Sequence, residues 1–286
     1  MLDSERCFLP NPIGVSIAQG TPVLHLDNFL LESEIEALRE YGDGIIGAHG
    51  TAACKHGIEV RSGGGDDAWK VAFLNTEDRH SADGFEWILD RLKKRLKSLD
   101  GWNGLVNTDE YDGLNTRVIE YHRQTAPGPG INDPKHYDMD SVVTIDIALS
   151  KPEEFEGGEF GTLESTGQLR HHKFSRGDAV AFISHKFHCV SKVETGIRRV
   201  LVVELWRGPP RTCPHRCEHL GKSCKLEKSH VPNGQGGDAV LPFRLGGVEF
   251  NPEGAELLWQ SSEETVKVAP KAIEADEDDE EWDLFG

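Results

Sequence analysis

The stretch Lys-His-Tyr-Asp-Met-Asp-Ser at 135–141 sets His136, Asp138 and Asp140 at alternate positions. Alternate residues of a strand project to one side, so His136 and either aspartate can offer an imidazole nitrogen and a carboxylate oxygen to one ion. A second stretch, SHKFHCVSKVETGIRR at 184–199, adds His185 and His188 and ends in two arginines. Two histidines and one carboxylate are the donor set of mononuclear non-haem iron(II) centres, where three coordination positions stay open for reacting ligands. A His-x-Asp by itself is weak evidence, because three unrelated polar residues on a sheet surface would read the same way. Spacing alone leaves open which aspartate and which histidine would bind.

These residues need strands to hold them. From residue 115 the chain alternates short β-branched and aromatic runs with turn signals: NTRVIEY, SVVTIDIALS, GEFGTLE, DAVAFIS and RRVLVVELW. No helical pattern intervenes, so the reading is an antiparallel sandwich or jelly roll, not a parallel sheet. Upstream, TPVLHLDNFL (21–30) and AWKVAFL read as strands. ESEIEALREYG reads as a helix with Ser33 and Glu36 in capping-box spacing and Gly42 as its stop. Phe85, Ile88, Leu89, Leu92 and Leu96 recur at helical spacing, which predicts a second helix packing on the sheet and ending at Gly101. Residues 43–67, rich in glycine and polar side chains, read as a long loop.

Between the two halves of the candidate site lies EFEGGEF (154–160), and upstream of His188 lies SRGDAVAFIS. With these, residues 21–207 resemble the prolyl 4-hydroxylase-like branch of the 2-oxoglutarate/iron(II) dioxygenases. The matching positions are His136 and Asp138; Phe155, Gly157 and Gly158; Gly177, Asp178, Ala179 and Phe182; then His188, Val190, Val193, Gly196 and Arg198. The resemblance implies mainly β architecture with flanking helices around a double-stranded β-helix (jelly-roll) core. It implies His136, Asp138 and His188 as Fe(II) ligands, selecting Asp138 over Asp140 and His188 over His185. It also implies Arg198 as the partner of the distal carboxylate of 2-oxoglutarate, a planar match that guanidinium makes bidentately. Arg199 has the opposite parity and is expected to face away. Thr144 and Tyr121 match positions that help bind the same cosubstrate. O2 as oxidant, ascorbate as reductant and hydroxylation of a peptidyl proline with release of succinate and CO2 are further implications. Another amino-acid side chain, a small molecule, or a non-catalytic binding module are the alternatives.

Net charge is −18, and eight of the carboxylates crowd into EADEDDEEWD at 274–283. That stretch reads as a solvated acidic tail. Such acidity argues against binding to nucleic acid or an anionic membrane surface, and no apolar run is long enough to span a bilayer. With no basic-then-apolar start to the chain, an intracellular, cytoplasmic location is expected, with the nucleus as an alternative. The organisation expected is an N-terminal segment (1–20), a dioxygenase domain (21–209), a Cys/His-rich extension (210–232) and a C-terminal extension (233–286). The substrate is expected to be a protein, a peptide or a small molecule; nothing in the sequence bears on oligomeric state. In the Cys/His-rich extension, Cys213, Cys217, Cys224 and His230 could close a tetrahedral zinc site, although the cysteine spacing is not the paired form. A metal-free extension and a disulfide are the competing readings. Metal analysis of a fragment spanning 208–232 separates them: the zinc reading predicts about one bound zinc per fragment, and its absence removes that reading.

Overall fold

Two antiparallel sheets face each other, and the larger carries apolar side chains outward and polar ones inward. The computed structural model describes residues 13–49, 58–60, 68–75, 85–99, 101–106, 108–208 and 210–211. The Cys/His-rich extension beyond 211, with Cys213, Cys217, Cys224 and His230, and the acidic tail lie outside the described residues. The chain divides into two units, 1–246 and 247–286, and every described residue belongs to the first.

In chain order the elements are α1 (Val15–Gln19), β1 (Leu24–Leu26), α2 (Glu32–His49), β2 (Ile58–Val60), β3 (Trp69–Phe73), α3 (Glu86–Leu99) and α4 (Thr108–Gly113). The strands β4 (Asn115–Thr125), β5 (Ile131–His136), β6 (Val143–Ala148), β7 (Phe155–Gly157) and β8 (Phe160–Leu163) follow. β9 (Leu169–His172), β10 (Ala179–Ile183), β11 (His188–Val190) and β12 (Val193–Trp206) complete the described elements. The larger sheet runs β1-β10-β6-β12-β4-β3-β2, with β7 paired to β12, and the smaller runs β5-β11-β8-β9. All described strand pairs are antiparallel, giving the double-stranded β-helix arrangement.

Strand parity then sorts the side chains. On the outward face, Ile119 and Tyr121 of β4, Val143, Ile145 and Ile147 of β6, and Leu201, Val203 and Leu205 of β12 are buried. Ile35, Leu38, Ile45 and Ile46 of α2, and Ile88, Leu92 and Leu96 of α3, cover them in the same core. Helical and strand periods therefore meet on one apolar layer, each buried Ile or Leu contributing about 1.5–3 kcal/mol. Arg91 of α3 clamps Glu34 of α2 with two N–H groups, both at 2.8 Å, so the two helices are joined by a bidentate pair. Ile13 and Ala18 belong to this core as well. No helix among the described residues is long and apolar enough to cross a membrane.

Two helix expectations change. α2 begins at Glu32, and it is Glu34, not the Ser33–Glu36 pair, that reaches back to accept the Leu31 N–H at 2.9 Å. Nor does α2 stop at Gly42; it runs on to His49, and part of the expected 43–67 loop is helix. Gly42 is small for a packing reason, since a Cβ there would lie 2.4 Å from the ring of Tyr121. Helix propensity favours alanine over glycine by about 1 kcal/mol, whereas overpacking costs about 1–3 kcal/mol, so the clash wins at this site. Gly44, two residues on in the same helix, has nothing within 4 Å of an added Cβ. Urea denaturation is therefore expected to show Gly44→Ala more stable by up to about 1 kcal/mol and Gly42→Ala less stable than the unaltered chain. Equal shifts in both variants would count against this packing.

Candidate metal centre

The register of the smaller sheet brings the two halves of the sequence signal together. His188 pairs with His136 across β11–β5 and with Thr162 across β11–β8. The rings of His136 and His188 meet edge-on, centroids 4.9 Å apart at 75°. Asp138, just past β5, is held by its backbone N–H donating to the Ser184 carbonyl at 2.9 Å. Its Oδ1 stands 3.5 Å from His136 Nε2 and its Oδ2 3.8 Å from His188 Nε2. One ligand atom from each of the three residues lies within 4.8 Å of the others. Donors bonded at right angles to one ion at about 2.1 Å stand roughly 3 Å apart, so small side-chain rotations would close the set. Two imidazoles and one carboxylate fit iron(II).

The surrounding hydrogen bonds aim these donors. His188 Nδ1 faces the Lys186 carbonyl at 3.1 Å, which makes Nδ1 the donor and leaves the Nε2 lone pair for the cluster. Phe182 and Phe160 flank the same ring. The Thr144 hydroxyl donates to Asp138 Oδ2 at 2.8 Å and lies 2.9 Å from the Ser184 hydroxyl. Lys186 is fully buried, and its ammonium donates to the Gln19 carbonyl and to Glu164. The Gln19 side chain donates to the His185 carbonyl and accepts the Phe187 N–H. The short helix α1 thus pins the turn that delivers His188.

His185 and Asp140 are kept out of the cluster. His185 donates from Nδ1 to the Ile13 carbonyl at 2.9 Å and stacks edge-on against Tyr137. Burial holds its pKa below the usual histidine value. Asp140 occupies a turn at φ 70°, a conformation that aspartate tolerates better than most side chains.

Between the sheets a pocket is lined by the three candidate ligands and, among others, Thr144, Asp146, Arg198 and His122. Arg198 is buried; one guanidinium N–H donates to Gln124 Oε1 at 2.6 Å, the single hydrogen bond of its side chain among the described residues. Its remaining N–H groups are left to the pocket. Gly158, at φ 65°, makes room for it, since a Cβ there would lie 2.5 Å from Arg198 Cδ. Arg199, of opposite parity, faces the helices and donates from Nε to Asp43 of α2 at 2.9 Å. Desolvation lowers the Arg198 pKa to about 10 although Asp146 opposes this, and raises that of Asp146 to about 7 although Arg198 opposes that. Asp138, Glu204 and Glu120 push Asp146 in the same upward direction.

Of two further residues expected at the pocket, one lies elsewhere and the other lines it. Tyr121 is not in the pocket: β4 turns it to the helix side, under Gly42, with its hydroxyl donating to Asp43 at 3.0 Å. That burial, with the Asp43 charge beside it, raises its pKa. Thr144 does line the pocket, but its hydroxyl proton goes to the Asp138 carboxylate, so it steadies a candidate ligand. Residues of the opposite parity on β4 face inward instead: Glu120, His122 and Gln124, with His122 Nε2 and Glu120 Oε2 2.7 Å apart. The signal for them was readable, because polar residues at every second position of a buried strand mark a polar wall. Asp146, two residues beyond Thr144, carries the same signal.

No protein-family model matches the chain, and no curated protein matches it. Among solved structures it is similar to a prolyl-4-hydroxylase from Pseudomonas putida, at 14% identity over 68% of this chain and 100% of that one, TM-score 0.41. It is also similar to an oxidoreductase of the 2OG-Fe(II) oxygenase family from Burkholderia pseudomallei, at 16% identity over 72% and 96%, TM-score 0.41. A prolyl hydroxylase from Trichoplax adhaerens, in complex with a hypoxia inducible factor oxygen degradation domain peptide fragment, matches at 13% identity over 68% and 88%, TM-score 0.42.

Iron(II) titration tests the cluster. Thr144→Val is expected to weaken metal binding about 10–100-fold by releasing the Asp138 carboxylate. Asp138→Ala should abolish binding and Asp140→Ala should leave it near that of the unaltered chain. Equal losses for Asp138→Ala and Asp140→Ala would contradict the assignment.

Proposed function

We propose that the chain is an iron(II)- and 2-oxoglutarate-dependent dioxygenase, with His136, Asp138 and His188 holding the metal and Arg198 holding the distal carboxylate of 2-oxoglutarate. One observation carries the reading: a two-histidine, one-carboxylate cluster and a buried guanidinium share a pocket. Bound iron(II) would supply the site where O2 is reduced while 2-oxoglutarate loses CO2 to become succinate and a substrate C–H becomes C–OH.

The protein's own contribution is placement. Asp138 is oriented by Thr144 and by the Ser184 carbonyl, and His188 by Lys186 and two phenylalanines. Arg198 offers a planar fork to a carboxylate in a setting poor in water, where each charge-assisted hydrogen bond counts for more. Trp69, Ile131, Val190, Val200 and Val202 supply the apolar part of the wall and keep water out.

The likeness of the motif run to prolyl 4-hydroxylases makes a peptidyl proline the first substrate to test. The rim favours an extended chain: β5 lies at an edge of the smaller sheet with exposed residues, and Met139 stands 58% exposed beside Asp138. A small molecule or another amino-acid side chain is the second reading, and ascorbate is the expected reductant.

With Fe(II), O2, ascorbate and candidate peptides, the purified chain is expected to convert 2-oxoglutarate to succinate, and His136→Ala should abolish this. Arg198→Ala should raise the 2-oxoglutarate requirement by about 100-fold or more, the scale of a lost charge-assisted pair, while leaving iron binding intact. No succinate under any of these conditions would favour a non-catalytic binding module, and loss of iron binding in Arg198→Ala would contradict its assigned role.

A further inference from the structure

A second charged side chain faces the pocket beside Arg198. Asp146 lies on β6 at the inward parity, paired in register with Val202 of β12 and Val180 of β10. It is 7% exposed and lines the pocket, yet no hydrogen bond or close ion pair reaches its carboxylate among the described residues. It lies eight positions from Asp138 in the chain, and no hydrogen bond or ion pair joins it to the three candidate metal ligands. A carboxylate this deep is normally bound by donors. Asp146 instead faces open space, with the Arg198 guanidinium the one cation among its strongest electrostatic neighbours.

Across the pocket the smaller sheet presents His136 and His188, the two candidate metal ligands, while the charges that act on Asp146 most strongly besides Arg198 are of its own sign. From β4 come Glu120 and the His122 paired with it; from β12 comes Glu204, whose charge is taken up by Arg117; Asp138 lies beyond Thr144. β10 presents only Val180 and Phe182 at the inward positions opposite β6. A dicarboxylate that docks on Arg198 therefore brings an anion to the one cation that offsets Asp146. Two carboxylates competing for one guanidinium in a desolvated pocket do not both stay charged; one takes a proton and donates it to the other.

We propose that Asp146 is a cosubstrate-binding residue that takes up one proton from solvent when a 2-oxo dicarboxylate docks on Arg198, its neutral carboxyl then donating a hydrogen bond to the ligand. This rests on the dioxygenase reading and adds to it a coupling between proton uptake and cosubstrate binding. The sign follows from the pH at which Asp146 ionises before docking; burial raises its pKa to about 7 in the pocket without metal, and bound iron(II) would lower it from there. Below that pH the proton is already in place and affinity is flat. Above it, each docking event must collect a proton, and affinity falls by up to about tenfold per pH unit.

The test is calorimetric titration of 2-oxoglutarate into the full iron(II)-loaded chain under nitrogen, across pH 6–9 and in two buffers of different ionisation enthalpy. The unaltered chain is expected to bind more weakly as pH rises past the point where Asp146 ionises and, above it, to take up close to one proton. Asp146→Asn, whose amide donates without needing a proton, should bind with the steeper part of that dependence removed and without the uptake. Asp146→Ala should lose the uptake too, which guards against a peculiarity of the asparagine. Binding with the same slope and uptake in all three overturns the role of Asp146 and leaves the dioxygenase reading standing. Failure of the unaltered chain to bind 2-oxoglutarate at any pH overturns both.

Discussion

The space between the two sheets is walled by ionisable side chains, and each must be compensated where it stands. A buried charge without a partner costs several kcal/mol, more than any one apolar contact in this core returns. Most are paired locally: Glu204 with Arg117 and Ser141, Glu120 with His122, Lys186 with Glu164 and the Gln19 carbonyl. Asp138, His136 and His188 are the part of the set that leaves donor atoms converging on one point. Arg198, with one N–H on Gln124, and Asp146, facing open space, complete the wall. A pocket so equipped is suited to a cation bound at one end and an anion at the other.

That constraint also accounts for what looks peripheral. α1 is short, but through Gln19 it holds the turn at 184–187, so the orientation of His188 depends on a segment far away in sequence. Gly158 is small because the Arg198 side chain crosses directly over it, and its φ of 65° suits glycine best. Asp43, on α2, ties Tyr121, Arg199 and Arg123 to the outer face, so strand residues of the wrong parity for the pocket are held by the helix layer.

Much of this was legible beforehand, for identifiable reasons. The strands at AWKVAF, VTIDIA, AVAFI and RRVLVVELW are β-branched, buried and bounded by turns, which is the strongest local signal a strand can give. The parity of the His-x-Asp, and of Arg198 against Arg199, carries directly into the sheet. Other features were hidden by tertiary context. β5, with the sequence INDPKH, is polar and contains proline; it is a strand because β11 pairs with it at a sheet edge, where proline is tolerated. Gly42 reads as a helix stop until the ring of Tyr121 is seen beneath it. Tyr121 itself points away from the pocket because β4 presents its even-numbered residues inward, a phase that local sequence does not set. Asp146 shares the parity of Thr144, which marks it as inward-facing, but it is the register against β12 that sets it in the same wall as Arg198.

The central claim is that one pocket holds a metal on His136, Asp138 and His188 and a 2-oxo dicarboxylate on Arg198. A crystal structure of the full chain, grown without oxygen in the presence of Fe(II) and 2-oxoglutarate, tests it most directly. The account predicts iron bonded to Nε2 of both histidines and to the Asp138 carboxylate, with the distal carboxylate of 2-oxoglutarate against the Arg198 guanidinium. Iron on His185 or Asp140, or 2-oxoglutarate bound away from Arg198, would contradict it.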